Sequence, residues 1–189
     1  MKNNYLVLLL SALLLVLSSC SGSSSSNTAT SATTSAMQID DLLDNAERLT
    51  DKEVTIEGVC THTCKHGARK IFLMGSDNTK TIRIEACKLG SFDTKCIKSV
   101  VRVTGTLIED RIDETYLRNW ESQLTAEELD QENLATCETE KNARGETSNK
   151  VADRIADYRD RIEKRLLTEG KEYLSFYHVN AIDYEIVEQ

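Results

Sequence analysis

Short runs of alternating apolar residues, each closed by turn residues, constrain the fold of this chain more than any other feature. From Glu53 onward, Val54, Ile56, Gly58 and Cys60 share one parity, and His62 and Cys64 continue it. Further runs occupy residues 70–74, 81–86, where Ile82, Ile84 and Ala86 align, and 99–108, where Val101, Val103, Gly105 and Leu107 align. A period of two marks strands with one buried face. Gly58 and Gly105 fall inside strands, where glycine marks a bulge or a sharp coil. Strong coiling is how a few strands close into a small barrel. Residues 173–187 read as extended again, with Tyr177, Val179 and Ala181 on one parity and Tyr184 and Ile186 on the other, which leaves room for a bend. The pattern predicts a mainly β fold with a helical insertion, a small five-stranded barrel whose last strand arrives late.

Helical patterning lies on either side of the fourth strand. Leu42, Leu43, Ala46 and Leu49 give residues 40–50 an apolar face, with Asp40 in place to cap it. Thr125 to Glu128 has the spacing of a capping box, and Val151, Ile155, Tyr158, Ile162 and Leu166 recur near helical spacing up to Gly170. The helical excursion is expected over about residues 121–168, before the last strand. An independent helical appendage with a terminal arm fits the same periodicity. Tyr116, Leu117 and Trp120 are read as seating the excursion on the barrel.

The amino terminus carries an address. Lys2, an apolar run over residues 5–17, and Leu17-Ser18-Ser19-Cys20 form a secretory signal that ends in cysteine. The run is short for a transmembrane helix. The pattern resembles the lipobox of bacterial lipoproteins, which implies lipidation (including palmitate) of Cys20 after removal of residues 1–19. An ordinary secretory signal with a chance cysteine is the alternative. Residues 20–36 are rich in Ser, Thr, Ala and Gly and cannot bury enough apolar surface to repay ordering, so they read as a flexible tether. The folded part is expected over residues 37–189, one domain. Lipoproteins of the phylum containing Bacteroides that reach the cell surface often carry acids just after the lipidated cysteine. Ser21-Gly22-Ser23-Ser24-Ser25-Ser26 has none. By that resemblance the protein is a membrane-anchored lipoprotein of a Gram-negative bacterium that faces the periplasm.

A formal net charge of −8 argues against nucleic acid as a partner, because phosphate contacts need a basic surface. Nor is there a basic cluster for anionic lipid. The expected membrane contact is the lipid on Cys20.

The strands resemble the oligonucleotide/oligosaccharide-binding (OB) barrel: Val54-Thr55-Ile56-Glu57-Gly58-Val59 looks like its first strand and Val101-Arg102-Val103-Thr104-Gly105-Thr106-Leu107 like its fourth. Thr61-His62-Thr63-Cys64-Lys65-His66-Gly67 followed by Lys70-Ile71-Phe72-Leu73 resembles a little-characterised family of Bacteroidetes lipoprotein-like proteins with an OB fold. That resemblance implies fold and location and almost nothing of activity, since OB barrels host unrelated functions. Phe72 is the sole aromatic residue in the central strands, which argues against single-strand binding.

The chemistry concentrates at Cys60, His62, Cys64 and His66, one metal-capable residue at every second position. On a regular strand all four would point to one face. They are too far apart to clasp one ion unless the strand end coils at Gly67, which favours His62, Cys64 and His66 as a trio with Cys60 as a fourth ligand. Cys87, Cys96 or His178 could approach from another strand. Thiolate and imidazole together suit zinc or copper. The rival readings are a disulfide-braced barrel in a protein-interaction lipoprotein, with Cys87 and Cys96 as a clasp, and a thiol redox protein using the C-x-x-x-C pair Cys60 and Cys64. An oxidising compartment permits the disulfides. The usual C-x-x-C redox spacing, a phosphate loop and a G-x-S-x-G elbow are all missing from the sequence, so a binding module with no catalytic set is favoured over an enzyme. An unidentified periplasmic protein would be the partner of such a module.

Overall fold

The computed structural model describes residues 35–65, 67–130 and 137–187. The expected signal and lipidation site at Cys20, most of the tether, and His66 lie outside them. Among the described residues, six strands and six α-helices follow in the order β1 (Met37–Gln38), α1 (Ile39–Asp44), α2 (Ala46–Leu49), β2 (Glu53–Thr63), β3 (Lys70–Met74), β4 (Thr81–Glu85), β5 (Val100–Asp113), α3 (Glu114–Ser122), α4 (Ala126–Asp130), α5 (Glu138–Arg144), α6 (Val151–Glu169) and β6 (Tyr173–Val187). Single 3-10 turns at Cys87–Leu89 and Thr94–Cys96 link β4 to β5.

The strands run in the order β1-β2-β3-β4-β6-β5, and a β2–β5 pairing closes the circle. The result is a closed barrel of five strands, consistent with a small OB-like barrel, with β1 added in parallel beside β2. β4 and β6 pair in parallel and the other barrel pairs are antiparallel. The alternation in sequence becomes an interior of Val54, Ile56, Cys60, Ile71, Leu73, Ile82, Ile84, Val101, Val103, Leu107, Val179 and Ala181. Helices α1 and α2 add Ile39, Leu42, Ala46 and Leu49 to it, and the β4–β5 connection adds Phe92 and Cys96. Asp40 does not cap α1, whose N-cap is Gln38; its carboxylate accepts instead from the amide and hydroxyl of Ser76.

The strand glycines sit where chains crowd. A Cβ at Gly105 would lie 2.4 Å from the Asn180 carbonyl oxygen and 2.7 Å from Val179 Cγ1. Opposite it, the β5–β6 register passes from Thr104↔Asp183 to Gly105↔Ala181 and leaves Ile182 unpaired. This bulge is the bend that the parity change in residues 173–187 requires, and it turns Ile182 out to solvent.

β5 and β6 run on together beyond the barrel, to Ile112↔Leu174 and Asp113↔Tyr173. On this extension a second apolar core forms from Ile112, Leu117, Val151, Ile155, Tyr158 and Leu174, with Trp120, Ile162 and Phe176 packed against it. The helical excursion is therefore an insertion seated on the prolonged hairpin. It starts at Glu114, earlier than expected, because Asp113 caps α3 by accepting from the Tyr116 amide at 2.7 Å. The capping box at α4 forms as read: Thr125 Oγ1 accepts from the Glu128 amide, and Glu128 Oε2 accepts from the Thr125 amide and hydroxyl. Gly170, left-handed at φ 70°, ends α6. Among the described residues no helix is long and apolar enough to cross a membrane.

Candidate functional site

The alternation that groups Cys60 with His62 breaks at Thr61. Cys60 pairs with Leu73 but His62 pairs with Phe72, so Thr61 is an extra residue on β2. A bulge shifts side-chain parity by one. Cys60 therefore stays in the barrel interior, fully buried, while His62 sits on the outer surface with its ring 5.9 Å from that of Phe72. Cys64 follows His62 by alternation. Cys60 is thus parted from the other candidates by the barrel wall and is not a fourth ligand to them. The same separation removes the Cys60–Cys64 pair from redox reach.

The remaining cysteines are placed just as specifically. Burial pushes the Cys60 thiol up, and burial beside Cys60 pushes Cys96 up to about 11. Both are poor thiolates and act as small apolar core residues. Cys87 is exposed and donates to Asn180 Oδ1 at 3.2 Å. The five described cysteines are free and none stands at disulfide distance from another, so the expected Cys87–Cys96 clasp is absent. His178 does not turn to the cluster either; its Nδ1 lies 2.9 Å from Asp110 Oδ2.

What reaches His62 is Cys137, from the residue just before α5, with Sγ 3.3 Å from His62 Nε2. The sequence does not single out Cys137; 75 residues separate it from His62, and no local pattern joins them. Among the described residues no group of three or more His, Cys, Asp or Glu side chains is arranged to hold a metal. The soft donors brought together are one thiol and one imidazole, a pair whose chemistry fits zinc or copper, with Cys64 on the same face.

Next to this pair, charged groups tie α5 to the barrel. Arg83 on β4 donates to Glu140 at 2.6 Å and to Asp110 at 3.1 Å, and its Nε lies 3.2 Å from Glu85. Lys70 and Arg144 also flank Glu140, at 3.7 and 3.4 Å. Burial works to raise the Glu140 carboxyl, but Arg83, Lys70 and Arg144 outweigh it and hold it below the ordinary value. The hydrogen bond from His178, aided by the charge of Arg83, does the same for Asp110 against its burial. Under the insertion, the buried Glu146 accepts from Tyr158 and lies 2.9 Å from Arg154 Nη2. Burial, then the Glu146 carboxylate, raise the Tyr158 hydroxyl.

The site lies where the turn after the first barrel strand meets the insertion between the fourth and fifth. These are the two loops through which OB barrels hold ligands, although shape alone assigns no function. No protein-family model, no curated protein and no solved structure matches this chain.

Proposed function

We propose that this protein is a non-enzymatic binding module, anchored to the membrane through a lipid on Cys20 and facing the periplasm, that holds a zinc or copper ion at the junction of barrel and insertion. The observation that carries this reading is the approach of Cys137 to His62. A free thiol and an imidazole from distant parts of the chain meet in contact, 3.3 Å apart. His62 and Cys137 would be the central ligands, with Cys64 beside His62 on the strand end. His66 is kept as the fourth candidate on sequence grounds. Thiolate and imidazole donors favour these soft or borderline ions over calcium or magnesium. A bound ion would cross-link α5 to the barrel and add its binding free energy to the stability of the insertion.

The test is metal content together with free thiols, on the full chain purified in detergent without chelator or histidine-rich tag. One zinc or copper per chain, lost on His62→Ala or Cys137→Ala, is the expected result. No metal and no uptake under reducing conditions would refute the reading, and cysteines found oxidised in pairs would point to the disulfide-braced interaction lipoprotein instead.

A further inference from the structure

At the tip of the prolonged hairpin, where Asp113 pairs with Tyr173, the start of α3 and the last turns of α6 border an open groove of about 650 Å³. Its floor is apolar. Ile162 and Leu166 stand one turn apart on α6, and Tyr173 lines the groove with them. Residues four apart share a helix face. Ile162 also leans on the second core, but Leu166 is 41% exposed and the next residue, Leu167, is 81% exposed. Two consecutive leucines left in water beside an apolar groove form a patch, which a single exposed leucine would not.

The rim is acidic. Asp113, Glu114, Glu163 and Glu172 line the groove against the guanidinium groups of Arg118 and Arg159. With Arg118 counted in full, the lining keeps a surplus of two negative charges. Arg159 is moreover shared, with Glu114 at 3.1 Å and with Glu121, outside the lining, at 2.8 Å. Among the described residues Glu163 and Glu172 have no cation partner. The nearby cations bring carboxylates of their own: Arg111 has Glu109, Arg165 has Glu169 and Lys171 has Glu47. Arg111 and Arg165 lie over the Tyr173 ring, 4.3 and 5.3 Å from its centre, and hold that wall in place.

An apolar floor under an acidic rim complements an apolar segment flanked by lysine or arginine. It repels an anionic lipid surface, and it repels the same groove on a second copy of this chain. Side chains one turn apart on α6 match the spacing by which an amphipathic helix lays its apolar face into a groove. We infer that this groove docks a basic amphipathic helix of a partner protein. Its apolar side chains would meet Ile162, Leu166 and Tyr173, and its cations Glu163 and Glu172. The groove contains neither His62 nor Cys137, so this inference and the metal reading stand or fall separately.

The experiment is fluorescence anisotropy on the full chain in nanodiscs of zwitterionic lipid, with empty discs as the blank. The probe is a labelled helical peptide of about 14 residues made of alanine, leucine and lysine, with its leucines along one face. It should bind with a Kd of about 10 μM or tighter. The same peptide with glutamate for lysine, or alanine for leucine, should bind at least about tenfold more weakly. Leu166→Gln and the double variant Glu163→Gln/Glu172→Gln should each lose about tenfold. Asp41→Asn/Glu53→Gln removes as much charge from exposed positions away from the groove and should bind as the parent does. The substituted side chains are exposed, and an unchanged far-UV circular dichroism melt confirms that each variant folds. The inference is overturned if the lysine peptide does not bind, if either altered peptide binds as tightly, if the groove variants bind as the parent does, or if the distant variant loses as much as they do. A dimer in sedimentation velocity that Leu166→Gln dissolves would assign the groove to a second copy and overturn it as well.

Discussion

The bulge at Thr61 makes a prediction that separates two cysteines the sequence treats alike. Cys60 lies inside the barrel at 0% exposure, its thiol donating to the His62 backbone carbonyl at 3.6 Å; Cys137 meets the His62 imidazole, at 3.3 Å from Nε2. Cys60→Ala removes one buried sulfur from the core. The lost transfer free energy and the small cavity together cost about 1–1.5 kcal/mol of stability. It leaves metal affinity unchanged. Cys137→Ala does the reverse. The side chain is half-buried at the start of a short helix, makes no capping bond and gives up one weak thiol–imidazole hydrogen bond, so stability without metal changes by less than about 1 kcal/mol. Outer-shell partners of a metal are each worth 10–100-fold in affinity, so loss of a ligand should exceed about 100-fold. Affinity is measured by competition with a chromophoric chelator under reducing conditions, and stability by urea unfolding of the metal-free chain. A Cys60→Ala protein that loses metal as severely as Cys137→Ala would show that the two share a site, and the bulge argument would fail. So would a Cys137→Ala protein that binds as the parent does.

Two further outcomes follow from the fold and the charge network. Gly105→Ala places a methyl 2.4 Å from the Asn180 carbonyl oxygen, a backbone atom with no rotamer to escape by; we expect a loss of about 2–3 kcal/mol in urea unfolding, and a loss under about 0.5 kcal/mol would refute the close approach. Asp110 and Glu140 are both held below their ordinary values, so the stability they add is fully present above those values and is lost as pH falls through the folded ones. Asp110→Asn should therefore be less stable than the parent at about pH 7, with the gap closing towards about pH 3; a gap that stays constant with pH would refute the ion-paired role.

Much of the barrel is legible in the sequence because its strands obey a local rule. Val54 and Ile56, Ile82 and Ile84, and Val101 and Val103 announce their inward faces by alternation alone, and the parity change around Ile182 announces the bend that the bulge supplies. The capping box at Thr125 and the stop at Gly170 are equally local, since each depends on residues within one turn. The second core is less so. Ile112 and Leu174 belong to strands whose extension past the barrel is visible only once β5 and β6 are paired.

The site divides along the same line. Sequence alone determined which donors exist and that His62 and Cys64 stand two apart at a strand end. It could not reveal the extra residue at Thr61, because a bulge is defined by the partner strand and not by the residues that form it. That one residue put Cys60 inside the barrel and His62 outside. Nor could the sequence join Cys137 to His62, or bring Arg144 and Arg161 over the face that carries Arg83 and Asp110. Those meetings depend on where a long insertion lands when its apolar side is buried on the prolonged hairpin, a choice made by packing across the whole chain and recorded in no single stretch of it.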